Sequence, residues 1–189
     1  MTSVDLTELT AGHVATAFAR RSAPIVALGT DADALAAACH AMARRFHRGG
    51  RLLALGTGPA AADVAHVVVE FVHPVIVGKR ALPALALPGG GSAAAVELFG
   101  EPEDIALAFS ADGGAPVLVE AMAAAARRGL LTVALLGGDG GAVARVPGLD
   151  HVIVTPSDDP RVVREAQVTA YHVLWELVHV FLDAPEVLG

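Results

Sequence analysis

The chain has almost no cysteine, since Cys39 is the single one among 189 residues. One thiol cannot form a disulfide within the chain, and this composition is typical of a reducing compartment. We therefore expect a cytoplasmic protein that is stabilised by packing rather than by crosslinks.

Aromatic residues, positive charge and long apolar runs are also scarce. Phe, Trp and Tyr make up 4% of the chain and the net charge is −7, which argues against binding to nucleic acid or to anionic membranes. No apolar run of about 18 residues is free of charged residues, Gly and Pro, so we expect no membrane-spanning helix. Residues 1–9 carry Asp5 and Glu8 without a basic stretch, so no secretory signal is expected there.

What the chain does contain is an alternation of short, continuous apolar runs with helical segments. Continuous apolar strands are typical of parallel sheets covered on both faces, so the fold class predicted is α/β. The expected strands are Arg51–Leu55, Pro83–Leu87, Asp104–Ser110, Leu131–Leu136 and His151–Thr155. The expected helices are Leu6–Leu28, Asp31–His47, Pro59–His73, Ser92–Phe99, Pro116–Arg128, a short one after Gly141, and Pro160–Leu182.

The first 48 residues lack any strand signal and are rich in alanine. We expect residues 1–48 to be a helical segment that packs on the sheet or on a neighbouring subunit, followed by one sheet domain over residues 49–189.

An eight-residue pattern, H-V-x-x-E-x-V-H, occurs at residues 66–73 and again at residues 172–179. On a helix, positions 0, 4 and 7 share one face, so each copy carries two imidazoles and one carboxylate in a stripe. His66 with Glu70, or His172 with Glu176, can offer two ligands to a divalent metal ion. Each pair could instead be a hydrogen-bonded pair within its helix. The Glu-x-x-His spacing also matches di-iron helical bundles, which the strand signals disfavour.

Loops that follow the strands offer candidate anion sites. Gly56-Thr57-Gly58 follows a strand and opens a helix, where backbone N–H groups can cradle a phosphate. Pro88 to Ser92 and Ser110 to Ala115 are further strand-end loops, although Asp112 would repel a phosphate dianion. Lys79 and Arg80 form a small basic pair that could contact an anion. Each feature also has a plain structural interpretation as a tight turn or solvated surface.

These loops and repeats together resemble the sugar isomerase (SIS) domain family, and within it the phosphoheptose isomerases. The family's G-N-G-G-S-A-A-D-A-Q-H-x-x-x-E segment corresponds to residues 56–70, and its R-P-x-P-A-I-A-L strand to residues 80–87. Its S-T-S-G-N-S-P phosphate loop falls on residues 110–116, and its P-S-D-D…H-x-x-x-E segment on residues 156–176.

The resemblance implies a three-layer αβα sandwich with a five-stranded parallel sheet, usually assembled as a homotetramer or dimer through the N-terminal helices. It implies a divalent metal, typically zinc, at His66, Glu70 and His172. Glu70 and His172 would then be the proton-transfer residues of an aldose–ketose isomerisation. The substrate would be a sugar phosphate or a related carbohydrate derivative.

The chain departs from the family pattern at the phosphate loops and at one metal ligand. Ala60, Ala111, Asp112 and Ala115 replace hydroxyl-bearing positions, and only Ser110 keeps its hydroxyl in the second of these loops. Gly89-Gly90-Gly91-Ser92 replaces the family's T-D-S-S loop. The metal-binding glutamine of the family is Arg164, which cannot coordinate a metal but can hold an anion or a carboxylate.

The proposed substrate-binding residues are Gly56, Thr57, Gly58, Lys79, Arg80, Ser92, Ser110, Asp112 and Arg164. His73 and His179 are expected to enrich the site. Two functions stay open at this point. One is a metal-dependent isomerase, and the other is a non-catalytic SIS protein that binds a ligand or a protein partner.

Overall fold

The computed structural model describes residues 6–189, with side chains from residue 10 onward. Residues 1–5, part of the segment where no secretory signal is expected, lie outside the described residues. Five parallel strands form one sheet in the order β2-β1-β3-β4-β5. The strands are β1 (Leu52–Leu55), β2 (Ala84–Ala86), β3 (Ile105–Phe109), β4 (Leu131–Gly137) and β5 (His151–Thr155). The predicted α/β class with a five-stranded parallel sheet is confirmed.

The central strands are apolar throughout because helices cover both of their faces. Every residue of β1, β3 and β4 is buried, whereas the edge strands β2 and β5 are partly exposed. Leu52 of β1 stands level with Ala84 of β2 and Ile105 of β3, and Val133 of β4 stands level with His151 of β5.

Seven helices complete the layers in the part of the chain that is described. Residues of α2, α3 and α7 enclose one hydrophobic core with one face of the sheet, and residues of α4, α5 and α6 enclose a second core on the other face. The helices are α1 (Leu6–Thr30), α2 (Ala32–His47), α3 (Ala61–Val72), α4 (Ala93–Phe99), α5 (Pro116–Arg127), α6 (Gly141–Ala144) and α7 (Pro160–Leu182). The αβα sandwich is thereby confirmed.

The N-terminal helices pack on the same side of the sheet as α7. Met42 and Phe46 of α2 lie in the core with Leu52, so α2 belongs to the layer that covers the sheet. Among the described helices, none alone is long and apolar enough to cross a membrane. Residues 10–30 and 32–47 together have that length and composition, but a 65° bend separates them. The division at residue 48 and its role in oligomerisation stay predictions.

Close backbone contacts fix the loops at the carboxyl edge of the sheet. Gly90 has φ +78°, and a Cβ there would lie 2.8 Å from the carbonyl oxygen of Gly56. Gly113 has φ +63°, and a Cβ there would lie 2.0 Å from the carbonyl oxygen of Gly140. Only glycine combines this conformation with such an approach, so neighbouring loops pack directly against each other.

Candidate active site between α3 and α7

The candidate site lies on the seam between α3 and α7, which cover the same face of the sheet. On α3, Asp63, His66 and Glu70 follow one another at spacings of three and four residues and therefore share one face. That face is turned toward α7, because α3 uses its remaining apolar side chains, among them Val64, Val67 and Phe71, to cover the sheet. The two helices thus present polar side chains to each other along the seam.

Three side chains from the two helices meet at the centre of the seam. One ligand atom each from His66, Glu70 and His172 lies within 4.8 Å of the others. The two imidazole rings are edge to face, with their centroids 5.3 Å apart. Glu70 Oε1 lies 3.1 Å from His66 Nε2 and 3.9 Å from His172 Nε2. We call this set the His–Glu cluster.

The His–Glu cluster fits a divalent metal ion by its chemistry and by its spacing. Two imidazoles and a carboxylate are a common donor set for zinc, and catalytic zinc sites keep a fourth position open. The Glu70 side chain is 14% exposed, whereas the side chains of His66 and His172 are 46% and 40% exposed. The carboxylate is therefore sheltered, and the imidazoles border the solvent.

Tyr171 forms the inner wall of the cluster. It is fully buried, and its hydroxyl oxygen lies 2.6 Å from Nδ1 of His66. Its ring contacts the rings of His66 and His172 edge to face, at centroid distances of 5.5 and 4.8 Å. Burial, and then the nearby carboxylates of Asp63 and Glu70, raise the pKa of Tyr171, so that its phenol stays protonated.

An ion pair closes the seam toward the N-termini of both helices. Arg164 Nε and Nη2 donate to the two carboxylate oxygens of Asp63 at 2.8 and 3.2 Å. This is the carboxylate-holding role that the sequence allowed for Arg164, and the same contact raises the arginine's pKa. The pair lines a cleft of about 480 Å³ together with Pro59, Pro160 and Arg161.

Gln167 is not a substitute for the family's metal-binding glutamine. It is buried, and its Nε2 donates to the carbonyl oxygens of Ser110 and Leu135, both at 2.8 Å. These bonds tie α7 to the ends of β3 and β4.

The first glycine-rich loop is only partly available to an anion. The Gly56 N–H donates to the carbonyl oxygen of Gly90 at 3.0 Å. This N–H is therefore not free for the phosphate contact that the sequence predicted. Thr57 precedes a short 3-10 turn, Gly58–Ala60, that leads into α3. Thr57 is half-buried and Gly58 is exposed, so these two residues stay candidates near the cleft.

The two serines proposed for substrate binding are engaged in local structure. Ser92 caps α4 by accepting the N–H of Ala95. The Ser110 hydroxyl accepts the N–H of Gly113 at 2.9 Å and donates to Asp112 Oδ1 at 3.2 Å. Asp112 Oδ1 also accepts the N–H of Gly114 at 2.9 Å. A carboxylate of the chain itself therefore occupies donors that would otherwise face a bound anion.

Lys79 and Arg80 lie apart from the strand-end loops within this chain, and their proposed contact with an anion stays a prediction. Both follow the C-terminus of α3, whereas the loop Gly56-Thr57-Gly58 precedes its N-terminus, about 18 Å away along a helix of 12 residues. Lys79 Nζ instead donates to Asp183 Oδ2 at 2.6 Å. Arg80 is exposed and offers its carbonyl oxygen to His179 Nε2.

The expectation that His73 and His179 enrich the site was wrong for this chain, because neither side chain joins the His–Glu cluster. α3 ends at Val72, so His73 leaves the helical stripe with φ −130° and ψ +72° and lies exposed. His179 is buried, and its two ring nitrogens lie 2.9 and 3.0 Å from the carbonyl oxygens of Trp175 and Arg80. Glu176 is exposed and outside the cluster. His172 therefore meets Glu70 of the other helix rather than Glu176 of its own.

Sequence reasoning missed Asp63 and Tyr171 as members of the seam. Asp63 continues the α3 stripe by one turn, and Tyr171 lies seven residues after Arg164 on α7. A search of both stripes for polar residues one turn beyond the repeats would have found Asp63.

Comparison with known proteins identifies the family of the chain. The SIS domain family matches the chain over residues 23–137. The phosphoheptose isomerase of Solidesulfovibrio magneticus is 33% identical over 174 residues, which cover 84% of each chain. The solved phosphoheptose isomerase of Francisella tularensis superposes with a TM-score of 0.82 at 23% identity, over 90% of this chain and 98% of that one. That of Neisseria gonorrhoeae superposes with a TM-score of 0.79 at 22% identity, over 89% and 98%.

A five-stranded parallel sheet with helices on both faces is the fold shared with these solved structures. The chain belongs to the SIS domain family and, within it, to the phosphoheptose isomerase family of enzymes.

Proposed function

We propose that the protein is an aldose–ketose isomerase that acts on a sugar phosphate or a related carbohydrate derivative and depends on a divalent metal, zinc in the first instance. One observation carries the proposal: the ligand atoms of His66, Glu70 and His172, from two separate helices, lie within 4.8 Å of one another. Family membership supplies the reaction class, and the cluster supplies the groups to perform it.

The roles of the side chains follow from their contacts. An aldose–ketose isomerisation needs one group to take a proton from carbon and another to protonate the neighbouring oxygen. Glu70 Oε1 faces the imidazoles, whereas Oε2 makes no hydrogen bond to the described residues. We therefore assign the role of general base to Oε2. His172, which is partly exposed across the cluster, is the acid partner. A divalent ion held by His66, Glu70 and His172 would polarise the substrate's oxygen.

The loop that follows β3 carries Asp112 where the family pattern has a hydroxyl-bearing residue, which supports a mode of anion binding different from that of the family. Asp112 occupies the Ser110 hydroxyl and the Gly114 N–H, and a carboxylate repels a phosphate dianion. We infer that a phosphate group binds weakly at this loop. The substrate-binding candidates that remain near the cleft are Thr57, Gly58 and, through its guanidinium edge, Arg164.

The contacts of Asp112 in the strand-end loop also favour a second candidate function. This is a SIS protein that binds a carbohydrate derivative or a protein partner without turnover. Binding without catalysis needs no proton transfer, so this alternative predicts that variants of Glu70 keep the function.

The decisive experiment compares Glu70→Gln with Glu176→Gln in protein purified without an affinity tag. Sedoheptulose 7-phosphate is the first substrate to test, with isomerisation followed by NMR in the presence of zinc. The isomerase proposal expects Glu70→Gln to lower kcat by about 10²- to 10⁴-fold, the usual contribution of general acid–base catalysis. The matched control Glu176→Gln should keep wild-type activity, because Glu176 lies outside the cluster.

Metal content provides an independent test. Wild-type protein and His73→Gln should each bind close to one zinc ion per subunit, and His66→Gln should bind much less. Protein that binds no zinc and gains no thermal stability from it, and that binds sugar phosphates without converting them, would support the non-catalytic alternative instead.

We propose a homo-oligomer from the exposed apolar side chains and a cytoplasmic location from the free cysteine. Phe18 on α1 is 70% exposed, and Val75 and Val77 after α3 are largely exposed. Exposed apolar side chains of this kind support a homo-oligomer, a tetramer or a dimer, which analytical ultracentrifugation would measure.

Burial raises the pKa of the Cys39 thiol to about 12, and this inert free thiol is compatible with the cytoplasm.

A further inference from the structure

Tyr171 contacts the cluster through a single hydrogen bond, and the direction of that bond depends on the tautomer of His66. His66 Nε2 lies 3.1 Å from Glu70 Oε1, and an ionised carboxylate can only accept. A hydrogen bond between these two atoms requires a proton on Nε2. In a neutral imidazole with that single N–H, Nδ1 is an acceptor, and the hydroxyl of Tyr171 at 2.6 Å would donate to it.

We propose that Tyr171 is a positioning residue that holds His66 as the Nε2–H tautomer in the metal-free protein and thereby opposes metal binding at Nε2. The proposal rests on the proposed function, because it takes His66 Nε2 as a metal ligand.

Because Tyr171 is buried, its hydroxyl depends on His66 for a hydrogen-bond acceptor. Tyr171 is fully buried, and its ring lies between Phe109, at a centroid distance of 5.7 Å, and the imidazoles. Within the described part of the chain, His66 Nδ1 is the one hydrogen-bond partner of its hydroxyl. The hydroxyl therefore has no second acceptor of the chain to turn to.

A metal ion held at Nε2 would reverse the bond, because the proton of the neutral ring would then reside on Nδ1 and be donated to the Tyr171 oxygen. The hydroxyl hydrogen of Tyr171 would lose its acceptor at the same time, and an unpaired buried donor is unfavourable. Removal of the hydroxyl should therefore ease metal binding, while the aromatic ring keeps both imidazoles in place.

The first measurement uses the wild-type protein, freed of metal with a chelator. A long-range ¹H–¹⁵N spectrum of the imidazoles at neutral pH distinguishes the tautomers, with His66→Gln used to assign the signals. We expect a protonated Nε2 and an unprotonated, hydrogen-bonded Nδ1. A neutral ring protonated at Nδ1, or a doubly protonated ring, overturns the proposal.

The second measurement uses Tyr171→Phe, which keeps the ring and removes the hydroxyl. The His66 Nδ1 signal should move to the position of an unprotonated nitrogen without a hydrogen bond. The signals of His40, whose Nε2 contacts the carbonyl oxygen of Val187, should not change. An unchanged Nδ1 signal would show that the phenol does not donate to it.

Zinc affinity, measured by competition with a chromophoric chelator, gives the third readout. Tyr171→Phe should bind zinc about 3- to 10-fold more tightly than wild type, as expected for relief of one unpaired donor. His73→Gln serves as the control and should match wild type. Equal or weaker zinc binding by Tyr171→Phe contradicts the opposing role. If neither protein binds zinc but His66 shows the expected tautomer, the metal part of the proposed function fails and the positioning role of Tyr171 remains.

Discussion

The Asp63–Arg164 ion pair should be energetically asymmetric, because its two partners differ in burial. The Asp63 side chain is 7% exposed and that of Arg164 is 35% exposed. If Arg164 is replaced by Met, a buried carboxylate loses its partner. If Asp63 is replaced by Asn, the guanidinium can still turn toward water in the cleft. Loss of a partner leaves an uncompensated charge, which is costly only where water cannot reach it.

The magnitudes follow from this difference. Breaking a fully buried pair costs about 3–5 kcal/mol, and we take about 3 kcal/mol for Arg164→Met because one partner is partly exposed. Asp63→Asn should cost about 1 kcal/mol, the net value of a hydrogen bond. In a chain of this size these costs correspond to decreases in Tm of roughly 6–12 °C and 2–4 °C.

Urea and thermal unfolding of the two single variants and the double variant would measure both effects. The double variant Asp63→Asn/Arg164→Met should be more stable than Arg164→Met alone, because it no longer buries an unpaired carboxylate. Equal losses from the two single variants, or a fully additive double variant, would show that the pair is not the buried contact described here.

Two further variants test the loop and the sheet edge. Asp112→Ala should bind sedoheptulose 7-phosphate or inorganic phosphate about 30-fold more tightly in calorimetry, because it frees two donors worth about 1 kcal/mol each and also removes a repelling charge. The control Asp139→Ala removes a similar acceptor from the N–H of Gly141 and should leave phosphate binding unchanged. Tighter phosphate binding by Asp139→Ala would contradict the assignment of the anion site to the Asp112 loop. Burial lowers the pKa of His151, against a smaller opposing effect of Asp150, so protonation favours the unfolded chain. Stability should therefore fall as the pH drops through about 6.5, and His151→Gln should show a flatter urea midpoint between pH 7.5 and 5.5. A steeper dependence in the variant would refute this account.

Local physical rules in the sequence predicted the strands well. Continuous apolar runs placed all five strands to within one residue at each end, since a strand covered on both faces needs apolar residues at every position. The apolar spacing and the glycine and proline residues between the strands placed the helices almost as well. Pro116 and Pro160 are the first residues of their helices, as their missing N–H groups favour.

The errors at the site have equally local causes. His73 precedes Pro74, and proline disfavours the helical conformation in the residue before it. The helix therefore ends at Val72 and the second imidazole of the repeat is lost from the stripe. His179 continues the stripe of α7, but α3 has ended at that level, and the returning chain at Arg80 covers it instead.

Long-range pairings could not be derived from one sequence by periodicity. The contacts of Asp63 with Arg164 and of His66 with Tyr171 join residues 101 and 105 positions apart. Periodicity shows which residues share a face of one helix, but not which level of the partner helix they meet. The axial offset of α3 against α7 depends on tertiary packing.

The arginine at the family's glutamine position changes the candidate metal site in a defined way. Arg164 is held on Asp63 by two hydrogen bonds, so position 164 offers no donor to a metal and places a positive charge on the seam. A divalent ion at the His–Glu cluster would have three protein ligands and open coordination positions, the arrangement of catalytic rather than structural zinc sites. With one protein ligand fewer, such a site would bind the ion less tightly and would keep a coordination position open to substrate. Asp63 would limit the repulsion between this positive charge and the ion, because its carboxylate neutralises the guanidinium beside the cluster.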